Sequence, residues 1–109
     1  MGKPSDLIQG TLDLLILTIV SAGPVHGWAI AKRIQQSSND VLQVQQGSLY
    51  PALHRLEHQG WIEAEVKITE SGRTAKFYSM TRVGKKQLLK ELGQWERLST
   101  AVSLVVKPA

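Results

Sequence analysis

A mainly α-helical domain carrying one small β-hairpin and ending in a long helix is the fold this sequence predicts, and three observations predict it. Before Gly60 the apolar residues recur with a helical period, interrupted by turn signals at Ser21-Ala22-Gly23-Pro24 and Ser37-Ser38-Asn39-Asp40. Between Gly60 and Thr81 the period is two. Beyond Thr81 it returns to alternating steps of four and three, the spacing of a coiled-coil seam.

The first helix is expected over residues 12–20. Leu12, Leu14, Leu15, Ile16, Leu17, Ile19 and Val20 are apolar almost all round, the mark of a buried helix, and Thr11 is placed to cap its start. Gly23-Pro24 forbids its continuation. A second, short helix is expected over roughly residues 27–36, with His26 at its start, Ile30, Ala31 and Ile34 inward, and Lys32, Arg33 and Gln35 outward. Lys32 and Arg33 read as exposed charges.

The third helix holds the richest stretch. Gly47 permits a sharp entry, Ser48 is a good N-cap, and Pro51 then falls in the first turn, where its missing N–H removes no helical hydrogen bond. At about 100° per residue, Leu49, Ala52, Leu53 and Leu56 share one side, while Tyr50, His54, Arg55 and His58 share the other. One side packs and the other meets a partner.

In the hairpin, Ile62, Ala64, Val66 and Ile68 alternate with Glu63, Glu65 and Lys67, which predicts a half-buried strand. Residues 69–74 supply the turn, and residues 75–80 return as a second strand with Tyr78 and Met80 inward. Thr81 then caps the last helix, in which Leu88, Leu92, Trp95, Ser99, Val102 and Val106 form the seam. A small domain with its core already supplied cannot cover such a stripe. A second copy is the natural cover, so Leu88, Leu92, Trp95 and Val102 are expected in a homodimer interface, with the first helix alongside. Residues 1–81 thus form a winged helix-turn-helix and residues 82–109 a dimerisation helix, in one compact unit.

Composition narrows the function classes. The 109 residues suit one domain with a modest core. Thirteen Lys and Arg against nine Asp and Glu give a net charge of +4, and the isoelectric point lies near 9.6, a balance that suits a polyanion. The absence of cysteine excludes disulfides, thiolate zinc sites, iron–sulfur clusters and a cysteine nucleophile. The apolar run at residues 12–20 is too short to span a bilayer and contains Asp13. The start, Met1-Gly2-Lys3-Pro4-Ser5-Asp6, lacks the Ser or Thr of a myristoylation signal. No membrane partner and a cytoplasmic location are expected.

Three helices, a two-stranded wing and a long terminal helix make the order of a winged-helix DNA-binding protein, and the residues resemble a family with that order. Leu15-Ile16-Leu17, then Gly23-Pro24-Val25-His26-Gly27-Trp28, then the run from Gly47-Ser48-Leu49-Tyr50-Pro51 through Leu56-Glu57, are similar to the PadR-like transcriptional regulators. Gly60-Trp61-Ile62, Gly72-Arg73, Lys76-Phe77-Tyr78 and Thr81 continue the match, over about residues 7–100 in all. Trp28 stands where the family usually has Tyr. The single terminal helix looks like the family's short branch. The resemblance implies a homodimeric bacterial repressor that binds a palindromic operator in double-stranded DNA and releases it on binding a small molecule.

The candidate DNA-binding set is Gln46, Ser48, Tyr50, His54 and Arg55 on the third helix, with Arg73 and Lys76 flanking the wing tip. Recognition-helix N-termini meet DNA, their N–H groups favour phosphate, hydroxyls donate to phosphate oxygens, and a basic wing tip suits a minor groove. A rival motif lies within the same helix: His54-Arg55-Leu56-Glu57-His58 satisfies the H-x-x-E-H zinc-peptidase pattern. It lacks a third ligand, since the remaining histidine, His26, starts another helix, and no catalytic residue, metal or cofactor is assigned. A protein-binding winged helix without an operator is the other alternative. Trp95 reads first as a seam aromatic. With the polar Ser99 one turn on, it is also a candidate for stacking a small hydrophobic planar or cationic effector.

Overall fold

The computed structural model describes residues 9–107. The chain runs α1 (Gln9–Val20), β1 (Val25–His26), α2 (Gly27–Ser37), α3 (Gln46–His58), β2 (Ile62–Ile68), β3 (Thr74–Met80) and α4 (Arg82–Val106). The reading of residues 1–6 as free of an anchor signal lies outside the described residues. Among them, no helix is long and apolar enough to cross a membrane.

The core is where α1, α2 and α3 meet the base of the sheet. Ile16, Leu17, Ile30, Leu49, Leu53, Leu56 and Ile62 are fully buried there, with Val20, Val25, Ile34 and Tyr78 around them. The loop before α3 adds Leu42 and Val44, which pack against this core from an irregular segment. Two left-handed residues in succession, Asn39 and Asp40, end α2 and turn the chain there. The Asp40 N–H donates back to the Gln35 carbonyl at 2.9 Å, and the Ser38 hydroxyl accepts from the Leu42 N–H at 2.9 Å.

The sheet has order β1-β3-β2, all antiparallel. β2 and β3 pair in full register from Ile62↔Met80 to Ile68↔Thr74. β1 was not expected. Its two residues pair Val25 with Tyr78 and His26 with Phe77, a strand too short to carry any period. Val66 and Ile68, expected to be half-buried, are exposed, because the hairpin runs out past the core and its distal half has no layer beneath it.

Two other expectations need correction. α1 begins at Gln9, so Thr11 lies inside it rather than capping it. α3 begins two residues earlier than the Ser48 cap implies, with Gln45 extended at the N-cap position. Pro51 therefore sits beyond the first turn, where it has no N–H to donate to the carbonyl four residues before it.

The far end of α3 is fixed by Gly60, at φ +80°. The Trp61 N–H donates to the Leu56 carbonyl at 3.1 Å and the Gly60 N–H to the Glu57 carbonyl at 3.0 Å, the pair of bonds that closes a helix on a left-handed glycine. Thr81 ties this corner to α4. As expected from the sequence it caps α4, its hydroxyl accepting from the Gly84 N–H at 3.0 Å. The same hydroxyl reaches the Gly60 carbonyl at 2.6 Å and the Trp61 carbonyl at 3.0 Å, and the Thr81 N–H donates to the Trp61 carbonyl at 3.1 Å.

This corner leaves no room for a side chain at Gly84. A Cβ there would lie 1.9 Å from the Trp61 carbonyl oxygen and 2.6 Å from the Met80 sulfur. Gly84→Ala is expected to destabilise the fold by about 2–3 kcal/mol, since the blocking atom is backbone and cannot step aside. Urea unfolding monitored by circular dichroism reads this as a lowered midpoint; an unchanged midpoint would show that α4 is not held against Trp61 this closely.

Candidate nucleic-acid interface

The orientation of α3 follows from its buried side. Leu49, Ala52, Leu53 and Leu56 are at most 1% exposed against the core, which leaves Tyr50 and His54 facing out. Gly27, the first residue of α2, lies under the Tyr50 ring. A Cβ there would come within 3.1 Å of Tyr50 Cε1, so the absence of a side chain lets the phenol rest against the start of α2.

Between α3, the β1–α2 junction and the wing lies a groove of about 770 Å³. Tyr50 and His54 line it from α3, and Arg73 and Lys76 from the wing. Four of the seven residues read from the sequence as DNA-contacting thus share one concavity. Gln46, exposed, and Ser48, half-buried, sit on the first turn of α3, outside the groove lining. In that turn the Ser48 N–H donates to the Gln45 carbonyl at 3.0 Å, as does the Leu49 N–H at 2.9 Å.

Arg55 lies elsewhere and corrects the helical-wheel reading. Its guanidinium is turned to α1, where it forms an ion pair with Asp13. Asp13 is 7% exposed, a carboxylate inside a helix the sequence presented as apolar. Its burial is the largest influence on the group and holds the carboxyl above the ordinary 3.8; the Arg55 guanidinium pulls the other way, and Glu91 on α4 adds to the rise. The pair ties the outer helix to the first one.

The groove residues that the sequence does not single out for the site include Glu57, His26, Trp28 and Tyr78. The sequence marks Tyr78 only as an inward strand residue. Burial raises its phenol above the ordinary 10.0, with Lys76 acting against that rise. The Lys76 ammonium stands 5.7 Å from the Tyr78 ring centre and 3.5 Å from a Glu57 carboxylate oxygen. His26 packs its ring 4.0 Å from Phe77 and stacks 5.6 Å from the exposed Trp28. Lys32 and Lys67 close the two ends of this row, over Trp28 at 6.0 Å and over Phe77 at 5.6 Å. The unexpected strand β1 makes the row, since it fixes His26 beside Phe77.

Glu57, central to the H-x-x-E-H pattern, faces Lys76. Among the described residues no three or more His, Cys, Asp or Glu side chains are gathered so as to hold a metal ion.

Along α4 the apolar stripe is open. Leu92, Trp95, Leu98 and Val102 are 37%, 44%, 55% and 49% exposed, Val105 and Val106 continue the stripe, and Leu89 and Leu104 are exposed on other sides of the helix. Leu88 differs from the rest of the seam, being packed against its own core. Trp95 borders a second cavity of about 290 Å³ between α1 and α4, with Leu14, Glu91 and Leu98. Ser99 does not line it; its hydroxyl turns back to the Glu96 carbonyl at 3.3 Å.

Three helices, a wing on a three-stranded sheet and a long terminal helix define a winged helix-turn-helix protein. The chain belongs to the PadR-like family of transcriptional regulators, whose sequence profile matches residues 16–90. A transcriptional regulator of Mycobacterium tuberculosis is 34% identical over 94 residues, covering 86% of this chain and 84% of that protein. Among solved structures, a transcriptional regulator from Clostridium thermocellum is similar with a TM-score of 0.84 at 28% identity, over 94% of this chain and 97% of that one. A PadR-like transcriptional regulator from Bacillus cereus gives 0.81 at 28% identity, over 96% and 100%.

The Asp13–Arg55 pair is open to a direct test. Arg55→Ala strands a buried carboxylate and is expected to cost about 2–3 kcal/mol near pH 7. A carboxyl whose pKa is raised by folding gives its full contribution below 3.8 and loses it as pH rises through the folded value. Removing Arg55 raises that value further. The single variant should therefore recover stability as pH falls from neutrality towards 3.8, relative to Asp13→Ala/Arg55→Ala, in urea titrations. Parallel pH profiles for the two would show that Asp13 is not a buried charge.

Proposed function

We propose that this protein represses transcription in the cytoplasm as a homodimer that binds a pseudo-palindromic operator through α3 and the wing, and that a small planar hydrophobic or cationic molecule releases it. The observation that carries the DNA reading is the groove itself. Tyr50 and His54 from the helix and Arg73 and Lys76 from the wing converge on one face, beside the first turn of α3, which carries Gln46 and Ser48. The net charge of +4 supports the same reading. Bacillus subtilis PadR, solved in complex with operator DNA, shares the fold, with a TM-score of 0.68 at 24% identity over 75% of this chain and 46% of that one. Arg55 has a smaller part in this proposal than the other six residues, because its guanidinium is engaged by Asp13.

The homodimer is supported by the open face of α4, which is larger than scattered single apolar residues account for. Leu92, Trp95 and Val102 are its proposed centre, with Leu88 bracing the helix from its own side. The effector reading rests on Trp95, whose ring borders the α1/α4 cavity.

Selection of bound fragments from genomic DNA tests the operator. Half-sites should lie about 10 bp apart or a multiple of it, as two-fold symmetry requires. Tyr50→Ala should keep the fold and weaken binding roughly ten-fold, about 1.4 kcal/mol. Unaltered affinity would remove Tyr50 from the interface. Sedimentation at micromolar concentration should report a dimer, and Leu92→Asp should dissociate or unfold it; a wild-type monomer would refute the assembly. Flat hydrophobic dyes should quench Trp95 in a titration and lose affinity in Trp95→Ala. Unchanged dye affinity in a folded, dimeric Trp95→Ala variant would make the residue purely structural.

A further inference from the structure

A groove meant for a polyanion is expected to be lined with cations and neutral polar groups, and this one carries a carboxylate. Glu57, in the last turns of α3, is the sole acidic residue lining it among the described residues, opposite the wing. Its partner is Lys76, one of the two wing cations in the groove, at 3.5 Å. That distance is too long for a strong charge-assisted hydrogen bond. Both side chains reach solvent, with Glu57 36% and Lys76 53% exposed, so the attraction is screened and weak. The ammonium is also held over the Tyr78 ring at 5.7 Å, which keeps it at the groove wall when the carboxylate lets go. The Lys76 backbone is fixed by the register Val66↔Lys76 on β3, so a change of partner needs only rotation of the side chain and no movement of the wing.

We propose that Glu57 is an internal stand-in for a DNA phosphate: in the free protein it neutralises Lys76, and DNA binds in this groove by exchanging a backbone phosphate for the Glu57 carboxylate. This rests on the reading of the groove as the DNA interface. Two consequences follow from the charge balance. DNA affinity is held below what the wing cations alone would give, because a carboxylate is left unpaired beside a phosphate. In addition, Lys76 makes no net contribution to the salt dependence. The phosphate it neutralises releases a cation, and the Glu57 carboxylate it abandons takes one up.

The test is a salt titration of binding to a mixed-sequence duplex by fluorescence anisotropy, for wild type, Glu57→Gln, Lys76→Ala and the double variant, each checked for an unchanged thermal transition. Glu57→Gln is expected to tighten binding several-fold at low salt and to steepen the slope of log K against log salt by about 0.9, the value for one B-DNA phosphate. Lys76→Ala alone should weaken binding without altering the slope. The double variant should return to the wild-type slope. Equal slopes for wild type and Glu57→Gln would overturn the proposal, and so would a steepening that persists without Lys76, since the carboxylate would then act as a general repulsive charge. Failure of the interface reading has a different signature: Tyr50→Ala and His54→Ala would bind the duplex as wild type does.

Discussion

Everything functional in this domain depends on how α3 is seated. Leu49, Ala52, Leu53 and Leu56 are anchored against α1 and α2 with almost no exposure, and this sets the rotation of the helix about its axis. A different rotation would bury Tyr50 or lift a leucine into water, at about 1.5–3 kcal/mol for each large side chain misplaced. The polar residues face outward because the apolar ones cannot. Two further devices hold the helix along its length: the Asp13–Arg55 pair fastens it to α1, and the left-handed Gly60 ends it where β2 must begin.

The wing inherits its place from the same corner. Thr81 bonds to the carbonyls of Gly60 and Trp61 while capping α4, so the end of α3, the base of the hairpin and the start of the terminal helix meet at one hydroxyl. Arg73 and Lys76 then reach the groove because the hairpin leaves this corner at a fixed angle, braced by β1 on its other edge. The exposed distal half of the wing, with Val66 and Ile68 uncovered, has only the hairpin's own ladder to hold it. α4 starts from the same corner and carries an exposed apolar stripe along its 25 residues.

Much of this was legible in the sequence. The change of period at Gly60 and back at Thr81 marked the hairpin to within a residue, and Thr81 was identified as a cap, because period and capping are local signals. The four groove residues Tyr50, His54, Arg73 and Lys76 were legible from helix face and turn position. What could not be read depended on contacts between distant segments. β1 exists only because β3 lies beside it. Arg55 occupies an outward angle on a helical wheel, yet its long side chain reaches back to Asp13, 42 residues earlier, which an i, i+4 pattern cannot reveal. Glu57 was visible only as part of a metal-site pattern, and its place opposite Lys76 needed the wing to be folded. The early start of α3 was hidden by a strong local signal, Ser48, that pointed to the wrong cap.

The central claim is that DNA enters the groove between α3 and the wing. Amide chemical-shift mapping during titration of the isotope-labelled protein with duplex DNA tests it most directly, since it reports every segment at once. The largest shifts are expected at residues 46–57 and 69–78, with the distal part of α4 beyond Trp95 nearly unmoved. Shifts concentrated on α4, or spread evenly over the surface with α3 and the wing silent, would contradict it.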